Sequence, residues 1–168
     1  IAARLKEKGA HMLDAPVSGG SWGAIQGTLS IMVGGDKAVF DRCLPIFQGM
    51  GKSIVHVGSS GMGQITKLVN QVLVVGTMNS VAEALVFAAK AGADLETTIQ
   101  AVSGGAAGSW QLSNLVPRAI KGDFAPGFMV RLQQKDMHLI LEAAREMRLP
   151  LPATALVQQL QSVVSRNT

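Results

Sequence analysis

The sequence predicts an α/β segment followed by an all-α one, and three observations carry that reading. Short stretches rich in β-branched residues, punctuated by glycine and proline, occupy the chain to about residue 60. One long apolar helix is expected from Gly61 to Ala91. Beyond it, every segment has helical length and its own start signal.

In chain order, Ala2 to Lys8 reads as the end of a helix closed by Gly9, and Ala10 to Leu13 as a short strand. Asp14 to Gly20, DAPVSGG, holds too much glycine and proline for a regular element and is expected to be a loop. Such a loop can turn consecutive backbone N–H groups and the Ser18 hydroxyl toward an anion, or it can be an ordinary turn. Gly23 to Gly27 reads as one helical turn, Thr28 to Val33 as a strand, and Gly34-Gly35-Asp36 as a turn. Asp36 is placed to cap a helix from Lys37 to Phe47, and Ser53 to Val57 alternates as a third strand. After Gly92, Asp94 caps Leu95 to Val102, Ser109 starts Trp110 to Ile120, Phe128 to Met147 forms another helix, and a last one runs to about Val164.

The long helix holds the best chemistry in the chain. Apolar residues Ile65, Leu68, Val72, Val75, Met78, Ala82, Leu85 and Ala89 recur at helical spacing, and no charge lies between Lys67 and Glu83. A lone lysine in the first turns of so apolar a helix is expected to be partly dehydrated, which lowers its pKa and suits it to exchanging protons near neutral pH. Asn70, one turn on, shares its face. The alternative for Lys67 is a side chain that snorkels to water. Because Val72 to Val75 is greasy on more than one side, a homodimer or homotetramer with helix-rich contacts is expected.

Composition narrows the options. The chain has 168 residues, 48% hydrophobic, enough for one domain or one and a part. Cys43 is the single cysteine, which rules out an internal disulfide and points to a reducing, cytoplasmic setting. The charge of +4 is scattered, and two Trp, five Phe and no Tyr leave little to stack on bases, so no nucleic-acid partner is expected. His11, His56 and His138 fall in separate elements, so no metal site is expected. Asn70, Gln71, Thr77, Asn79 and Ser80 interrupt the long helix, so no membrane span is expected, and no signal peptide either. The chain opens on Ile1 within an amphipathic stretch, as a piece of a longer protein would.

Two glycine motifs fail as nucleotide sites by their mechanics. Gly49-Met-Gly51-Lys52-Ser53 resembles the end of a phosphate loop, but Ile46 occupies its first glycine position and the helix precedes the loop. Gly61-Met-Gly63 follows a strand and opens a helix, but Thr66 stands where the third glycine of a dinucleotide fingerprint belongs.

Several motifs in register carry more than any of these alone. Asp14-Ala-Pro-Val-Ser-Gly-Gly20, Gly23-Ala24, Gly27-Thr-Leu, Met32-Val-Gly-Gly-Asp36, Gly61-x-Gly63-x-x-x-Lys67-x-x-Asn70-Gln71 and Lys135-Asp136, in that order, resemble the β-hydroxyacid dehydrogenase family. This family includes 3-hydroxyisobutyrate dehydrogenases, tartronate semialdehyde reductases and relatives of 6-phosphogluconate dehydrogenase. The likeness spans essentially the whole chain but only the family's C-terminal part. It implies that residues 1–60 are the last strands of a Rossmann-type NAD(P)-binding domain, and that residues 61–168 are a long inter-domain helix and an all-helical substrate and dimerisation domain.

The resemblance also implies site roles. Lys67 is the catalytic acid/base, Asn70 positions substrate beside it, Ser18, Gly19 and Gly20 hold the substrate carboxylate, and Lys135 faces the NAD or NADP cofactor. A lysine at position 67 argues against the imine-reducing relatives. The implied activity is interconversion of a small 3-hydroxy acid and its semialdehyde, with this chain inactive by itself. A non-catalytic helical dimerisation or partner-binding module is the alternative, and the upstream coding sequence would separate the two.

Overall fold

The computed structural model describes residues 1–164. The chain divides into two compact units, Ile1–Gln71 and Val72–Thr168.

The first unit carries a three-stranded sheet in the order β1-β2-β3, formed by Val17–Ser18, Leu29–Gly34 and Gly51–Gly58. β1 runs antiparallel to β2, with Val17 opposite Ile31 and Ser18 opposite Ser30, while β2 and β3 are parallel. A parallel pair needs a crossover, and helix α3, Lys37–Gln48, supplies it. Two shorter helices, α1 (Ala2–Lys6) and α2 (Gly20–Ile25), complete the regular structure before the long helix. Leu29, Ile31, Val33 and Phe40 form the buried core of this unit, against which Leu13, Leu44, Phe47 and Ile54 pack. Asp36 caps α3 as expected: its Oδ1 accepts from Ala38 N at 2.9 Å and from Val39 N at 3.1 Å. Those two bonds, Val39 first, hold its carboxyl below the ordinary aspartate value.

Two expectations for this unit are corrected. Ala10 to Leu13 is not a strand: β2 ends at Gly34, whose bridge partner is Asp14, so residues 10–13 run past the ladder with no described strand beside them. Conversely, the segment Asp14–Gly20 is not only a loop. Its residues pair along the edge of β2, with Met32 N donating to Pro16 O at 3.0 Å before β1 begins. Pro16 is tolerated there because an edge position uses its carbonyl and not the N–H it lacks.

The long helix α4 spans Met62–Lys90, 29 residues or about 44 Å. By length and composition it is apolar enough to cross a membrane, against the sequence expectation, because its polar interruptions are uncharged and outweighed. Its buried positions depart in part from the expected stripe. Val75 is buried as expected, but Val81 and Ala88 are buried too, whereas Ile65, Ala82 and Ala89 are exposed. A helix that is apolar nearly all round does not announce one face, so its neighbours choose it.

In the second unit, α5 (Leu95–Ser103), α6 (Trp110–Ile120), α7 (Val130–Glu146) and α8 (Pro152–Val164) follow. Asp94 and Ser109 cap α5 and α6 through Thr97 N at 2.8 Å and Leu112 N at 3.1 Å. Val75 meets Met137 and Val157 in one buried cluster, and Val81 meets Leu112 and Val116 in another.

Candidate active site

The start of α4 is held from a distance. Asp14, buried, accepts from Gly61 N at 2.7 Å through Oδ1 and from Gln64 N at 3.1 Å through Oδ2, which satisfies two of the N–H groups that open a helix. The approach is close enough to require glycine on both sides. A Cβ on Gly34 would stand 2.7 Å from the Asp14 carboxylate, and one on Gly63 would stand 2.5 Å from Asp14 O and 2.6 Å from Met32 O.

From that anchored start the helix places Lys67 against the segment Asp14–Gly20. The half-buried Lys67 Nζ donates to Val17 O at 2.8 Å, next to Ser18. The structure therefore brings together two motifs 50 residues apart. After Ser18 the backbone turns through Gly19 at φ 128° and Gly20 at φ 60°, conformations that glycine adopts freely and other residues resist. Both glycines are exposed. Asn70 is half-buried one turn beyond Lys67, and its Nδ2 donates to Oε1 of the buried Gln71 at 2.8 Å. An ammonium group beside a glycine turn and a hydroxyl can bind a small oxyanion and exchange a proton with it.

Lys135 belongs to the second unit, on α7. Its Nζ lies 2.9 Å from Asp136 Oδ1, and its side chain is 61% exposed. Asp136 is buried on the same helix.

The role of Asp14 is not legible in the sequence: its motif is plain, but nothing local links it to a helix start 47 residues away. Ser59 and Ser60 stand nearer as caps. The one available signal was the glycine at position 63, which marks a close backbone approach at the helix start.

Known proteins place the chain. Residues 61–168 match the family described as NAD-binding of NADP-dependent 3-hydroxyisobutyrate dehydrogenase, and residues 1–58 match the NAD-binding domain of 6-phosphogluconate dehydrogenase. The chain is 49% identical over 167 residues to 2-hydroxy-3-oxopropionate reductase of Escherichia coli, covering 99% of this chain and 57% of that protein. It is 37% identical over 170 residues to 3-hydroxyisobutyrate dehydrogenase of Pseudomonas aeruginosa, covering 97% and 57%. The structure of 3-hydroxyisobutyrate dehydrogenase from Mycobacterium tuberculosis with L-serine superposes with a TM-score of 0.90 at 30% identity, covering 98% of this chain and 59% of that one. The chain thus spans less than three fifths of the length of each of these relatives. With both of its parts matched by NAD-binding families, and the expected motifs in register, the chain belongs to the β-hydroxyacid dehydrogenase family, whose cofactor is NAD or NADP.

Proposed function

We propose that this chain is the C-terminal part of an NAD(P)-dependent oxidoreductase that interconverts a small 3-hydroxy acid and its semialdehyde, with Lys67 as general acid/base. The contact of the Lys67 ammonium with Val17 O, beside Ser18, is the observation that supports this reading, because a proton donor lies next to the turn proposed here to bind the carboxylate. The names of the relatives agree on the substrate class: 2-hydroxy-3-oxopropionate and 3-hydroxyisobutyrate are both small carboxylates with the reacting oxygen on carbon 3.

Ser18, Gly19 and Gly20 hold the substrate carboxylate with a hydroxyl and backbone N–H groups. Asn70 orients the reacting oxygen. In the reductive direction Lys67 gives that oxygen its proton, and in the oxidative direction neutral Lys67 removes the hydroxyl proton. Bound NAD(P) supplies the two-electron redox equivalent, and Lys135 serves as a cation toward it. A homodimer or homotetramer would cover the exposed Val69, Leu73, Val86 and Phe87 of α4. A monomer at micromolar concentration by light scattering would remove that part of the proposal.

The test is made in a full-length protein containing this chain. Lys67→Ala lowers kcat about a hundredfold or more, with cofactor affinity much less affected. Lys67→Arg does not restore it, since guanidinium keeps its proton at working pH. Near-normal kcat in either variant returns Lys67 to a surface role and removes it as the acid/base.

A further inference from the structure

We propose that Asp14 is a positioning residue for Lys67: its carboxylate fixes the first turn of α4 on the same short segment against which the Lys67 ammonium docks. The inference rests on Lys67 being the acid/base, and the Asp14 contacts it adds are separate from that reading.

Two clamps join segment 14–17 to α4. Asp14 holds Gly61 N and Gln64 N, and three residues on from Asp14 and from Gln64, Val17 O holds Lys67 Nζ. Asp14 itself cannot retreat. Its N–H donates to Gly34 O at 3.0 Å and its carbonyl accepts from Gly34 N at 2.8 Å, which ties it to the end of β2. Gly34 and Gly63 leave no room beyond the carboxylate, since a Cβ on either would meet it at 2.7 Å. The helix start is therefore registered against the sheet through one side chain, and Lys67 lies one turn beyond the second clamped amide. A mechanism that moves a proton across one hydrogen bond is sensitive to an error of about 1 Å, which can lower a rate on the order of a hundredfold.

Asp14→Asn and Asp14→Ala separate positioning from simple stability. Asparagine keeps one acceptor for the two amides, and alanine keeps neither. In the full-length protein, assayed well below the melting temperature of each variant, kcat is expected to fall about tenfold for Asn and about a hundredfold for Ala, while the KM for cofactor stays within about twofold. The deciding readout is the residual turnover of Lys67→Ala with and without Asp14→Asn. If Asp14 acts through Lys67, the second substitution changes that residue of activity by less than about twofold. An equal tenfold loss in both backgrounds, or an unchanged kcat in Asp14→Asn alone, overturns the proposal. Near-normal turnover in Lys67→Ala alone would instead remove the acid/base reading, so the two failures are distinct.

Discussion

Helices α3, α5 and α6 are held at their starts by their own neighbours, whereas α4 is held by a residue 47 positions away. Asp36, Asp94 and Ser109 reach amides two or three residues on, in exposed or half-exposed surroundings. Asp14 is buried and joins strand end, edge segment and helix in one place. A local cap stops one helix from fraying. A distant one also fixes where the helix lies, and the proposed site is built at a start that is held that way.

Removing the room for the distant cap should have the largest effect on the fold. Gly63→Ala sets a methyl group against two carbonyl oxygens of the backbone, Asp14 O and Met32 O, neither of which can swing aside. We expect a loss of about 2 kcal/mol or more, read as a lowered urea midpoint. An unchanged midpoint would mean that the helix start shifts freely, and the contrast with the local caps would collapse.

Ser18→Ala sharpens the contrast from the other side, because it touches the proposed site and not the clamp. Hydrogen bonds to a charged group contribute roughly 1.5–3 kcal/mol, so KM for a carboxylate substrate should rise about ten- to a hundredfold in the full-length protein. KM for the matching uncharged aldehyde should hardly move, nor should the melting temperature. Equal effects on both substrates would show that the turn shapes the site without reading the carboxylate.

Asp36→Ala should have the smallest effect, confined to stability. The carboxyl of Asp36 lies below its ordinary value because it accepts from Val39 and Ala38, so its contribution is fully present above about pH 3.9 and is lost as pH falls through the lower folded value. The substitution should lower the melting temperature slightly at neutral pH, less in strong acid, and leave KM unchanged. A drop in melting temperature that persists undiminished in strong acid would rule out the charged cap as its source.

Much of the second unit was legible without coordinates. Asp94 and Ser109 stand next to the helices they cap, and the observed starts at Leu95 and Trp110 are those expected. The strand at Leu29–Gly34 was legible for the same reason, its apolar run being bounded by glycine turns. The site was legible as a set of motifs. That Lys67 meets the segment carrying Ser18 was legible only through family resemblance, since no spacing rule links residues 50 apart.

Where the partner lies far along the chain, local reading failed in both directions. Ala10–Leu13 has the residues of a strand and no described strand to pair with, while the proline-bearing segment 14–18 found the edge of β2. The buried face of α4 belongs to the same class: Val81 was selected over Ala82 by α6, whose Leu112 and Val116 pack with it. By itself the sequence determined the helices, their local caps, the glycine turn at 19 and 20, and which residues can carry chemistry, because propensity, capping and positive φ act over a few residues. Only the tertiary structure decided that Asp14 anchors α4, that Gly34 and Gly63 make room for it, and that Lys67 docks on Val17. Each of these is a contact between chain segments whose meeting depends on how the sheet and the helix pack, which no local preference encodes.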